Sequence, residues 1–331
     1  MAGAPIHASH QPPRLTLPET LHLLFILLDS TRLKLQSRIL TLLSAPSSSS
    51  PIPAVAAASA SLRRILSSLS IRQLQSALPT SSSTYRAFCR SHGVAPAIDD
   101  LGVDEQGQWN GAVMWVGGKP EPTKQKKVLF YCHGGGYVVA MGRGHFEQVR
   151  GVVEEGKGEV VAAVLEYGVA PQTEFPGPLR QAVAALKYLF GLGYRAEDIV
   201  LSGDSAGGHL ALSILSHLLH PHPAVEVLEL PAKGRFPAAV LISPWVSFET
   251  TASSFATNAE HDYISDTFIG MWAWTAIPWE IRQKEVMAGR YHNEPAKAPG
   301  EWWRGLDRVV GRVEVLVGGK EVFRDDIVDW A

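Results

Sequence analysis

A chain of 331 residues, 46% hydrophobic and 19% charged, is long enough for one large α/β domain with an appendage, and its composition excludes disorder overall and a solvated coiled coil. Two cysteines, Cys89 and Cys132, exclude a disulfide framework and a cysteine-rich zinc site, which favours an intracellular setting without fixing one. The net charge of −2 joins two unlike regions: residues 1–98 hold nine Lys/Arg and two Asp/Glu, leaving 21 basic and 30 acidic residues beyond them, so nucleic-acid binding by the whole chain is not expected.

The basic region 1–98 is rich in serine and lacks any acidic residue between Ser30 and Ile98. Its first element opens on Thr16-Leu-Pro-Glu19, in which hydroxyl and carboxylate can satisfy orphan backbone N–H groups, and the spacing predicts a helix over 16–44. Leu21, Leu24, Phe25, Leu28, Arg32, Leu35, Ile39 and Leu42 share one face of it. The run Leu21 to Leu28 falls far short of the roughly 18–20 residues that span a bilayer, so the helix either packs on its own domain or makes a peripheral membrane contact through residues 16–44. No small-x-small cleavage site follows the apolar stretch, which argues against a signal peptide. A second helix is expected over 54–78, between the loops Pro46-Ser-Ser-Ser-Ser-Pro51 and Pro79-Thr-Ser-Ser-Ser83.

From residue 110 short β-branched runs alternate with helix-length segments, the pattern of a mostly parallel sheet with helices on both faces. Strands are expected at 112–116, 128–133, 160–167, 199–203, 238–243 and 313–317, and helices at 144–155, 178–190 and 206–219. The stretch 249–305, longer than a crossover requires, reads as a cap insertion whose tryptophans form its core.

Chemistry concentrates in two motifs that follow strands. In Gly203-Asp-Ser-Ala-Gly-Gly208 a strand turns into a helix around Ser205; such a turn strains its serine, needs small residues on either side, and exposes the hydroxyl beside a helix N-terminus. In His133-Gly-Gly-Gly136 a strand ends in a loop able to aim N–H groups at a developing oxyanion, where one donor is worth roughly 3–4 kcal/mol. Gly134, Gly135 and Ala206 are the expected donors, and His133 is expected to shape the loop. Gly191-Leu-Gly193-Tyr-Arg-Ala196 matches a dinucleotide fingerprint as a string but follows a helix, so it reads as a helix end. His217, His220 and His222 lack an aligned carboxylate or cysteine and read as a solvated turn, so no metal and no cofactor is expected.

These motifs, with Tyr167-Gly-Val-Ala-Pro171 and Phe175-Pro176, make residues 110–331 resemble the hormone-sensitive-lipase-like branch of the α/β-hydrolase superfamily, a family of carboxylesterases and lipases. The resemblance implies an α/β-hydrolase fold with a helical cap, to which segment 15–90 contributes a lid, and a small-molecule ester as partner. The family's Asp-x-Leu-x-Asp falls on Glu321-Val-Phe-Arg-Asp325, which makes Glu321 the acid and Asp325 the alternative. A histidine is then expected roughly 25–30 residues further on, after another helix and strand. Ala331 follows ten residues after Glu321, and all twelve histidines precede it. Residues 1–331 are therefore expected to be impaired as a serine carboxylester hydrolase, whether as a C-terminally truncated form of an esterase or as a non-catalytic small-molecule-binding protein. The plant gibberellin receptors, which resemble this same family, illustrate the second case. Oligomeric state is not readable from the sequence.

Overall fold

The apolar strand sequences assemble into one seven-stranded sheet in a computed structural model that describes residues 12–43, 53–119 and 127–331, with side chains at 12–32, 58–119 and 127–331. Its strands are β1 (Ile98–Asp100), β2 (Ala112–Val116), β3 (Lys127–Cys132), β4 (Val160–Glu166), β5 (Ile199–Asp204), β6 (Ala239–Ile242) and β7 (Val313–Leu316). They lie in the order β1-β2-β4-β3-β5-β6-β7. β1 and β2 are antiparallel additions, and every pairing from β4 through β7 is parallel. Parallel strands are covered on both faces, which is why β3 is buried beyond its first residue; the antiparallel β2 is wholly buried as well. β1 carries no strand signal in Ile98-Asp-Asp. Tertiary contacts recruit it: Asp99 accepts hydrogen bonds from Trp115 Nε1 at 2.6 Å, Tyr188 at 2.7 Å and Lys119 at 2.6 Å.

The region before β1 forms α1 (Leu17–Leu43), α2 (Pro53–Ser68), α3 (Ile71–Ala77) and α4 (Ser81–Ser91). The capping box of α1 is made as expected, with Thr16 N donating to Glu19 Oε2 at 2.7 Å. The single helix expected over 54–78 is corrected to two: Ser70 is an N-cap in β conformation whose hydroxyl receives Gln73 N, while Gln73 Oε1 receives Ser70 N. The serine run expected as a loop at 79–83 starts a helix, because Thr80 caps it and Tyr85, Phe88 and Cys89 bury one face. The loop expected at 46–51 lies outside the described residues.

Helices α5 (Arg143–Glu155), α6 (Gly177–Gly191) and α7 (Ala206–Leu219) lie within one residue of their expected bounds. Residues 249–305 contain α8 (Ser253–Thr257), α9 (Asp266–Ala276) and α10 (Trp279–Met287), and α11 (Leu306–Val309) leads into β7, followed by α12 (Arg324–Trp330). The tryptophans here do not form a single core: Trp272 is buried, whereas Trp274 and Trp279 stand exposed. The expected solvated histidine turn is also corrected. His217 and His222 are buried beneath α10 and residues 292–302, with His222 Nε2 3.1 Å from Glu285, His217 Nε2 on Glu226 O and His220 Nε2 on Trp302 O. Among the described residues no group of His, Cys, Asp and Glu is placed to hold a metal ion.

Candidate active site

β5 ends at the carboxyl edge of the sheet, and the chain reverses into α7 through Ser205, a non-glycine residue at φ 50°, ψ −117°. That conformation costs about 1–3 kcal/mol and persists only where the surroundings impose it. Here Ser205 N donates to Ile242 O at 2.8 Å, while Ser205 O accepts from His209 N at 2.9 Å and Trp245 N at 3.0 Å. The flanking glycines are required by contact: a Cβ on Gly207 would overlap Cys132 O, one on Gly203 would overlap Gly207, and one on Gly208 would stand 3.0 Å from Pro244. Ser205 itself is half-buried, so its hydroxyl remains reachable.

The glycine loop after β3 faces this turn. Gly134 N donates to Asp204 Oδ1 at 2.8 Å, which removes Gly134 from the expected oxyanion donors, since an N–H already bound to a carboxylate inside the fold cannot turn to a substrate. The N–H groups of Gly135, Gly136 and Ala206 take no acceptor among the described residues. Gly135 and Gly136 hold φ values of +112° and +59°, and a Cβ at Gly136 would strike the Trp272 indole ring. The N–H groups left unpaired at this turn among the described residues are therefore those of Gly135, Gly136 and Ala206, with Trp272 closing over the loop.

Asp204, which sequence reasoning passed over as the variable residue before Ser205, is the group that fixes this geometry. It accepts from Tyr131 OH at 2.5 Å and Gly134 N, and its Oδ2 lies 3.3 Å from His145 Nε2. Burial alone would raise its pKa, but His145, Tyr131 and Gly134 outweigh that and hold it below the usual carboxylate range. Burial likewise lowers His145, yet Asp204 and the Gly142 carbonyl bring its pKa above the ordinary value. No spacing signal in the sequence connects His145 to this turn; the packing of α5 on β4 and β2 does. His133 behaves as expected of a shaping residue: it is fully buried, stacks on Tyr167 at 4.3 Å with its Nδ1 2.6 Å from Gly134 O, and burial lowers its pKa to about 4.

Glu321 sits on the loop after β7, at the same sheet edge and two strands from Ser205. Its Oε1 accepts Gly318 N at 2.9 Å, its backbone O accepts Asn258 Nδ2 at 2.8 Å, and Oε2 is left without a partner among the described residues. Asp325 is already engaged, its Oδ1 receiving Arg324 Nε at 2.7 Å, so the geometry favours Glu321 of the two. Tyr263 lies within the field of both ends of the site: its phenol is pushed up to about 12, first by desolvation and then by Asp262, Asp204 and Glu321.

No histidine side chain among the described residues is hydrogen-bonded to Ser205 or to the Glu321 carboxylate. His209, one turn along α7, points its Nδ1 at Tyr137 OH 2.6 Å away and is buried. His292 is held by His220 O at 2.6 Å. His261 is exposed on the turn before α9, and His7 and His10 lie outside the described residues.

A family profile described as alpha/beta hydrolase fold matches residues 129–331, more than half of the chain. An acetyl-hydrolase of Streptomyces hygroscopicus is 29% identical over 216 residues, covering 64% of this chain and 62% of that protein. An esterase of Gibberella moniliformis is 29% identical over 153 residues, covering 44% of this chain and 46% of its own length. The chain thus spans less than two thirds of either relative. In fold, the crystal structure of an esterase from the bacterial hormone-sensitive lipase family superposes with a TM-score of 0.54 at 23% identity, over 96% of this chain and 83% of that one.

Proposed function

Because the chain belongs to the α/β-hydrolase fold family, we propose that it is a serine carboxylester hydrolase acting on small or medium acyl esters, with Ser205 as the nucleophile. The observation that carries this reading is the strained Ser205 turn set against three N–H groups, on Gly135, Gly136 and Ala206, that have no acceptor among the described residues. A retired site has no need to hold either feature.

In acylation Ser205 Oγ bonds to the ester carbonyl carbon, the carbonyl oxygen takes up negative charge, and the three N–H groups stabilise it. Collapse breaks the carbon–alkoxy bond, and the serine proton leaves with the alcohol; water then attacks the acyl-enzyme and restores the hydroxyl. Glu321, with Oε2 free, is the acid that would orient an imidazole between itself and Ser205. No described histidine fills that place, so residues 1–331 are expected to acylate slowly. In another serine hydrolase, loss of the base costs on the order of 10⁶ in turnover while oxyanion stabilisation survives.

Hydrolysis of p-nitrophenyl acetate and butyrate by residues 1–331, with and without added imidazole, tests this directly. Expected is a slow rate that imidazole raises and that Ser205→Ala abolishes. Hydrolysis that survives Ser205→Ala would overturn the assignment of the nucleophile. Binding of these esters with no Ser205-dependent turnover, even with imidazole, would move the protein to the non-catalytic ligand-binding alternative on the same fold.

A further inference from the structure

Helix α1 turns its apolar face the wrong way for a helix that only packs on its own domain. Leu23, Ile26 and Ser30 are its buried side, while Leu17, Leu21, Leu24, Phe25 and Leu28 are between 51% and 72% exposed. At about 100° per residue these five fall within an arc of about 100°, a continuous apolar stripe of a kind that soluble surfaces rarely leave open. Charge decides what covers it. Residues 1–98 hold nine basic and two acidic residues, and both carboxylates are paired with arginines, Asp29 with Arg64 at 3.3 Å and Glu19 with Arg72 at 3.8 Å. Exposed Arg14 precedes the stripe and exposed Arg32 continues it. A second copy of the chain would bring like charges together across this face, whereas an anionic lipid surface offers the opposite charge and an apolar layer beneath it. None of the described helices is long and apolar enough to cross a membrane, which leaves the helix lying in the interface.

We propose that α1 docks the protein on the surface of an anionic phospholipid bilayer, with Leu17, Leu21, Leu24, Phe25 and Leu28 inserted below the headgroups and the neighbouring arginines among them. The surface continues toward the candidate active site: α2, packed on α1, holds the turn before α9 through Arg63 on Asp262 O and Ser67 Oγ on Ser265 Oγ at 3.3 Å. The docking stands independently of the chemistry proposed for Ser205.

Co-sedimentation of the full chain with phosphatidylcholine vesicles, alone or with about 30 mol% phosphatidylglycerol, tests it. Binding to the anionic vesicles is expected, at least about tenfold weaker on phosphatidylcholine alone or in about 0.5 M salt. The double variant Leu21→Glu/Phe25→Glu is expected to lose at least about tenfold in vesicle binding with an unchanged melting temperature, because both side chains stand in solvent in the free protein. Arg14→Glu/Arg32→Glu is expected to weaken binding to the anionic vesicles selectively. Failure to bind anionic vesicles, or equal binding by Leu21→Glu/Phe25→Glu, would overturn the proposal. A dimer in sedimentation velocity that the same double variant dissociates, with no capture by vesicles, would assign the face to a second copy of the chain.

Discussion

Asp204 joins three parts of the site at one carboxylate: the loop after β3 through Gly134, the core of the sheet through Tyr131, and α5 through His145. Its pairing with His145 makes the site's rigidity pH-dependent in a definite direction. A histidine whose folded pKa is raised contributes stability that is complete below its unfolded value near 6.5, and that contribution disappears as pH rises through the higher folded value. His145→Gln should therefore lower the melting temperature most below about pH 6, with the gap to the parent protein closing as pH rises above about 7. A gap that is constant across that range would show that the imidazole's charge has no part in holding Asp204. The residue scale also separates what was legible from what was not. Ser205 and its glycines are readable because contact and backbone strain restrict which residues can stand there, whereas Glu321 is named only by the resemblance of Glu321-Val-Phe-Arg-Asp325 to the family's acid motif. Gly134 reads as a free donor in sequence, since nothing local shows that the residue before Ser205 will bind its N–H.

Between elements, the decisive signals are caps. Apolar spacing alone continues from Ala54 to Leu78 without a break, yet Ser70 and Gln73 satisfy each other's backbone groups and end one helix to begin another. Replacing Ser70 by Ala should cost about 1 kcal/mol, measurable in urea unfolding, and Ser70→Asp should cost much less because a carboxylate accepts the same N–H. An Ala variant as stable as the parent would mean that the break is imposed by packing rather than by the cap. The same logic explains α4, where Thr80 turns a serine-rich stretch that reads as loop into a helix bearing Tyr85 and Phe88. α4 then reaches the sheet through Ser82 N on Glu166 at 2.9 Å. Conversely, the strands from β3 to β6 are legible to within a residue because burial on both faces makes their central residues apolar, whereas β1 exists only by virtue of its partners.

Across the whole molecule, the residues after β6 and the glycine loop after β3 are coupled through Trp272. Its ring lies against Gly136, and its Nε1–H is buried without an acceptor among the described residues. Trp272→Ala should destabilise by about 3–5 kcal/mol through the cavity it leaves. Trp272→Phe should cost less than about 1.5 kcal/mol, because it removes the orphan donor along with part of the ring. Thermal or urea unfolding of both variants measures the difference, and equal losses would show that the indole N–H finds a partner in solution. By itself the sequence determined the parallel sheet, the serine turn, the glycine loop and the basic, leucine-faced first helix, since each rests on local constraints: periodicity, backbone strain, contact at glycine and charge. Only the tertiary structure decided that Asp204 occupies Gly134, that the tryptophans of 249–305 divide between core and surface, that His217 and His222 are buried, and that the leucine face of α1 points outward. Each of these depends on which distant segment arrives at a given side chain, and no local pattern in the chain encodes that.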